Sequence, residues 1–157
     1  MISIKMNKII KSYKNIEIIG TIPYVNHVLK ALKLLSRKAP VKFKTVKKYI
    51  RRIEENPQSR ICHLNNMPIV FMAKKSAFYS ITWCASCIAH EAYHSKQFID
   101  YWRKYKKVPS NVHYGRKAEL ECMAYQILVS KQIHAPKHEI EHLKKQDGMH
   151  YKLKQTW

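Results

Sequence analysis

The chain has 157 residues, of which 46% are apolar, and carries 30 Lys and Arg against 10 Asp and Glu, a net charge of +20. That length favours one domain with a real core, and that composition excludes a disordered or collagen-like chain. The charge favours anionic partners such as nucleic acid or another anionic polymer, and no apolar run approaches the ~18 residues of a membrane span.

Residues 1–8 hold lysines but no continuous apolar core, so no secretory signal is read and a cytoplasmic location is expected. Asn15 to Thr21 is β-branched and ends in glycine, which predicts a strand. Pro23 suits a first helical turn, and Val25, Val28, Leu29, Leu32 and Leu35 repeat at helical spacing. Phe43 to Glu55 reads as an amphipathic helix with Lys44, Lys47, Lys48, Arg51 and Arg52 on one basic face. Asn56 to Ser59 reads as a turn. Arg60–Leu64 and Ile69–Ala73 then read as a hairpin, with an exposed edge that would suit an extended peptide.

From Ser80 the pattern becomes helical and rich in small residues, running to about Tyr105. A loop through Pro109 follows, then a second long helix over 116–132 with Leu120, Met123, Ala124, Ile127 and Leu128 as its expected core stripe. Pro136 opens a polar C-terminal helix, and 149–157 is a basic, aromatic tail. The core is expected over about 15–132 of a single 1–157 domain, with 136–157 as an added helix and tail. The four cysteines, Cys62, Cys84, Cys87 and Cys122, are expected to be reduced, with the Cys84–Cys87 pair as buried thiols.

The first helix of that latter half contains His90-Glu91-Ala92-Tyr93-His94. Residues four apart on a helix share a face, so both imidazoles can hold one metal ion while Glu91 reaches a water beside it. That division of labour suits zinc hydrolysis: two neutral nitrogens to hold a Lewis acid, one carboxylate as general base. A second match, His138 to His142, has charged Glu141 between its histidines, Pro136 before it and lysines after it. It reads as an exposed helix without a shielded cavity, and therefore as a decoy.

The extension that marks metzincins would need Gly at 97 and His at 100, where this chain has Gln97 and Asp100. HEAYH followed by a helix carrying Glu119-Leu120-Glu121-Cys122-Met123-Ala124-Tyr125 instead resembles the small gluzincin-type zinc metallopeptidases, including the minigluzincins. The resemblance covers about residues 60–132. It implies a small zincin-like α+β domain, with a short antiparallel sheet or hairpin packed on the motif helix and on a second, Glu-bearing helix.

It further implies Zn2+ held by His90, His94 and a downstream Glu, with Glu91 as catalytic base and a peptide or protein as substrate. Of the two candidates, Glu121 has the more apolar flank and is preferred, with Glu119 second. The usual Glu-xxx-Asp pair is missing, so no partner for a ligand histidine is assigned. Tyr114, His113, Tyr125, His150 and Tyr151 are candidate oxyanion donors. The resemblance also allows a latent form in which 136–157 closes the cleft. The competing reading is a basic protein that binds nucleic acid or another anionic polymer, with a structural, latent or vestigial zinc site.

Overall fold

The computed structural model describes residues 7–64 and 67–148. Among these, a five-stranded mixed sheet packs with six α-helices in an α+β arrangement. The strands are β1 (Ile9–Tyr13), β2 (Ile16–Gly20), β3 (Arg52–Glu55), β4 (Arg60–Leu64) and β5 (Met67–Met72), in spatial order β1-β2-β3-β5-β4. The outer pairs β1–β2 and β4–β5 are antiparallel, whereas β2–β3 and β3–β5 are parallel. The sheet is therefore larger than the expected antiparallel hairpin.

The parallel crossover from β2 to β3 is made by α1 (Ile22–Lys38) and α2 (Pro40–Tyr49). Proline stands in the first turn of each, where its missing N–H costs nothing. The last residue of β2 must be glycine, because a Cβ on Gly20 would lie 2.6 Å from Tyr24 and 2.8 Å from a Glu55 carboxylate oxygen. That carboxylate accepts the Thr21 N–H at 2.6 Å, joining the entry of α1 to the end of β3.

The expected helix over Phe43–Glu55 is corrected by this crossover. The chain leaves the helix after Tyr49, and 52–55 become the central strand. Ile53 and Glu55 are buried while Arg52 and Glu54 are not, an alternation of period two that four residues cannot distinguish from a helical face. The five-residue basic face is accordingly broken, since Arg52 lies in the sheet and meets Glu17 at 3.4 Å.

Behind the sheet run α3 (Lys74–Tyr79) and the long α4 (Ile81–Tyr105). Ser80 caps α4, its hydroxyl accepting the Trp83 N–H at 2.8 Å. Lys106 ends it in a left-handed conformation, φ 59°. Cys84, Ala85, Ser86, Ala89 and Ala92 are fully buried, and their small side chains let α1, α2, α3 and α5 approach α4 closely. Helix α5 (Arg116–Gln132) packs along α4, and α6 (Lys137–Lys144) packs on α5.

The core stripe expected on α5 is also corrected. Its buried residues are Ala118, Glu119, Cys122, Met123, Tyr125, Gln126, Val129 and Ser130, while Ala124 is exposed and Leu128 is 54% exposed. Met123 is buried, Ile127 packs against the core and Leu120 is half-buried as expected, but polar side chains occupy much of the inward face, so apolar periodicity places Ala124 and Leu128 wrongly. No helix among the described residues is long and apolar enough to cross a membrane.

Candidate metal centre

α4 crosses the middle of the molecule, and HEAYH lies in its most buried stretch. His90, Glu91 and His94 are 0%, 3% and 5% exposed. The spacing of four turns both imidazoles the same way, and their Nε2 atoms lie 3.1 Å apart. Facing them from α5 is Glu119. One of its carboxylate oxygens is 3.3 Å from His90 Nε2 and the other 3.1 Å from His94 Nε2.

Glu121, the preferred third ligand, is not brought to the histidines. It lies on the exposed side of α5 and accepts a hydrogen bond from Gln97 Nε2 at 3.0 Å. Two residues along a helix are about 200° apart, so only one of the pair can face α4. The rotation of α5 turns Glu119 to the histidines and Glu121 away from them.

The orientation of His90 is fixed by a chain of hydrogen bonds. The Ser86 hydroxyl donates to the Trp83 carbonyl at 3.0 Å, leaving its oxygen to accept from Gln126 Nε2 at 3.0 Å. Gln126 Oε1 is thereby turned to His90 Nδ1, 2.9 Å away. An amide oxygen only accepts, so Nδ1 carries the proton and Nε2 presents its lone pair toward Glu119 and His94. Gln126 is thus the hydrogen-bond partner of His90, at a place for which the sequence offered no Glu-xxx-Asp pair. Its signal in the sequence was its place seven residues after Glu119, two helical turns along the same face.

The electrostatics follow from burial. Desolvation lifts the Glu91 carboxyl to about 7, with the Glu119 carboxylate adding to the rise and His94 opposing it. At His94, burial works against the charged form, but Cys122, Glu119 and Glu91 outweigh it and hold the imidazolium well above its usual range. The Cys122 thiol is itself pushed up to about 11 by burial and is neutral at physiological pH. The carboxylates therefore supply the attraction. Convergence of a lone pair and a carboxylate at one buried point is repulsive unless a proton or cation sits between them.

A buried group of His90, His94 and Cys122 also has its ligand atoms within 4.8 Å of one another, close enough to hold a metal ion. Two donor sets thus share the histidines. Tetrahedral coordination with bonds of ~2.0–2.1 Å has donor–donor edges of about 3.3 Å. The spacings to Glu119, 3.3 Å from His90 to one oxygen and 3.1 Å from His94 to the other, are close to that edge, so the carboxylate as well as the sulfur lies within reach of an ion held by the two histidines. The Cys122 thiol already donates to Gln97 Oε1 at 3.5 Å, and the sequence reading had missed its place beside the histidines.

Edge strand β4 runs beside the site. His63 reaches the Ser95 hydroxyl at 3.1 Å and stacks on Phe98 with centroids 4.0 Å apart. His113 meets the edge of the same Phe98 ring at 5.0 Å. Burial and the nearby His94 lower the pKa of His113; burial and His113 lower that of His63 to about 4. Of the other oxyanion candidates, Tyr125 packs on Tyr93 and Lys42, Tyr114 is exposed, and His150 and Tyr151 lie outside the described residues.

The second match is used differently. Glu139 is buried, contrary to the wholly exposed helix expected for it, and it accepts hydrogen bonds from the hydroxyls of Ser80 and Thr82. His138 and His142 sit edge-on to Tyr79 and Trp83. The 149–157 tail lies outside the described residues. Comparison with known proteins finds no match: no family model, no curated protein and no solved structure is similar to the chain.

Proposed function

We propose that the protein is a zinc-dependent peptidase of the zincin type, with His90, His94 and Glu119 as ligands and Glu91 as general base. The observation that carries this reading is the triangle of two imidazole nitrogens and one carboxylate, with sides of 3.1–3.3 Å, buried beside a second carboxylate. Three protein donors leave the fourth position of a tetrahedral ion open, as catalytic zinc sites require. Zinc bound there would supply a Lewis acid that acidifies water and polarises a carbonyl.

The chain's own groups support the remaining steps. Glu91, with its pKa raised to about 7, is matched to taking a proton from water and returning it to a leaving amine near neutral pH. Gln126 holds His90 in the tautomer that offers Nε2. His113, whose pKa is lowered by burial and by the nearby His94, lies edge-on to Phe98, one turn past His94, and of the donors considered it is the one we assign to the oxyanion. β4 is the sheet edge next to α4, so an extended peptide would add to it as a further strand. Glu91→Gln should keep one equivalent of zinc and lose peptide hydrolysis. A variant that cleaved as fast as the parent would remove Glu91 from the mechanism.

The proximity of Cys122 favours a second reading, in which sulfur joins the ligands and closes the site as a structural centre. Cobalt substitution separates the two. A thiolate-to-metal charge-transfer band that disappears in Cys122→Ser would establish the closed site.

A further inference from the structure

At the far end of α4 from its cap, a cavity of about 420 Å³ opens between the last turns of that helix and the adjoining ends of the sheet strands. Its walls combine two chemistries. Lys48, Arg51 and Arg103 supply positive charge, while His63, Phe98 and Trp102 supply aromatic surface, and no acidic side chain lines it. Among the described residues these three cations make no ion pair with a carboxylate. The nearby Asp100 is engaged chiefly by Lys96 at 2.6 Å and by the Tyr49 hydroxyl at 2.6 Å, with Lys48 adding to the positive field on it, and Arg51 donates to the Lys47 carbonyl at 3.0 Å, so the excess of cations over anions around the cavity remains.

The aromatic wall is preformed. Phe98 is held by its stack on His63, and Trp102 remains 39% exposed at the rim. The volume falls within the range of about 300–1,000 Å³ typical of small-ligand sites. Lys106 lies over the Trp102 ring, its Nζ 4.9 Å from the centroid, and would move aside for or pair with a ligand stacked there, while exposed Lys104 and Lys107 add positive charge at the same end of α4. The cavity begins at Phe98, one helical turn past His94 and beside His113, and reaches Trp102, eight residues of helix from His94 and a rise of about 12 Å.

We propose that this cavity binds single-stranded nucleic acid, seating one nucleotide with its base against Trp102 and Phe98 and its phosphates among Lys48, Arg51 and Arg103. A polyanion without bases would satisfy the cations but leave the aromatic wall unused. A duplex would satisfy the cations but keep its bases stacked and out of the cavity. A single strand satisfies both, because every base has a face that can stack on an aromatic ring. The interaction does not depend on the peptidase reading.

The test is fluorescence anisotropy of the full chain with labelled oligo-dT and oligo-U at several salt concentrations. Their duplex forms and a charge-matched heparin fragment serve as competitors. Trp102→Ala should weaken single-strand binding roughly tenfold, while Trp102→Phe, which keeps a ring, should retain most of it. Arg51→Ala and Arg103→Ala should each weaken binding and lower the salt slope by about 0.7. A Lys30→Ala, Lys33→Ala pair on exposed α1 positions controls for bulk charge. The proposal is overturned if Trp102→Ala binds like the parent, if the α1 pair costs as much as the arginine variants, or if duplex or heparin competes as well as the single strand.

Discussion

Two stretches of this chain, His90 to His94 and His138 to His142, match the same five-residue pattern, and the fold gives them opposite uses. In α4 both histidines are buried and turned toward a carboxylate on a neighbouring helix, and Glu91 is buried with its pKa raised. In α6 the histidines are exposed and rest against aromatic rings, while the motif glutamate is the buried member and anchors the start of α4. The spacing permits a metal site in either place. Both helices pack on α5, and what separates them is what it presents: α5 brings Glu119 and Gln126 to the α4 histidines.

The sharpest way to break this comparison is to remove one histidine from each match. His94→Ala should lose bound zinc and hydrolysis together, with a fall in affinity beyond the 10–100-fold caused by losing an orienting group. His142→Ala should change neither. Metal content by atomic emission reads both, and retention of zinc in His94→Ala would sink the assignment.

Next in size comes the carboxylate. Glu119→Ala should release the metal, whereas Glu121→Ala should bind it as the parent does, because its side chain meets Gln97 instead. The reverse outcome would require α5 to be turned about its axis. A smaller effect is expected at the orienting group: Gln126→Ala should weaken zinc affinity by about 10–100-fold without removing a ligand. Competition with a chelator measures it, and an unchanged affinity would show that His90 needs no such support.

The two motif glutamates should also differ in stability. Glu139→Ala removes the acceptor for two hydroxyls and should destabilise the fold by about 2 kcal/mol without affecting metal content. Glu91→Gln should act in the opposite direction in metal-free protein. The folded-state pKa of Glu91, about 7, lies above its ordinary 4.5, so the folded chain binds more protons between those values. Stability is then lost as pH rises through that window, and the glutamine variant does not share the loss. Its melting temperature should exceed the parent's at about pH 8 and match it at about pH 4. Equal melting temperatures at both pH values would mean that Glu91 ionises at no cost.

How far the sequence could be read differs from element to element. α4 and α5 were legible to within a residue or two because each is long and bounded by Ser80, Lys106 and Gly115. β3 was not. It has four residues, follows a helix directly, and becomes a strand because β2 and β5 lie on either side of it. The edge position of β4 was equally out of reach, since strand order depends on pairings between distant segments.

By itself, the sequence determined that two histidines share one helix face with a glutamate about 100° round from His90, that a second helix follows with carboxylates to offer, and that the chain is strongly basic. Those are consequences of local periodicity and composition. Only the tertiary structure decided which glutamate meets the histidines. The inward side of α5 carries Glu119, Gln126 and Ser130 among its apolar residues, so hydrophobic spacing could not locate it. The angle at which two packed helices present their faces depends on every contact between them, and no window along one helix contains that information.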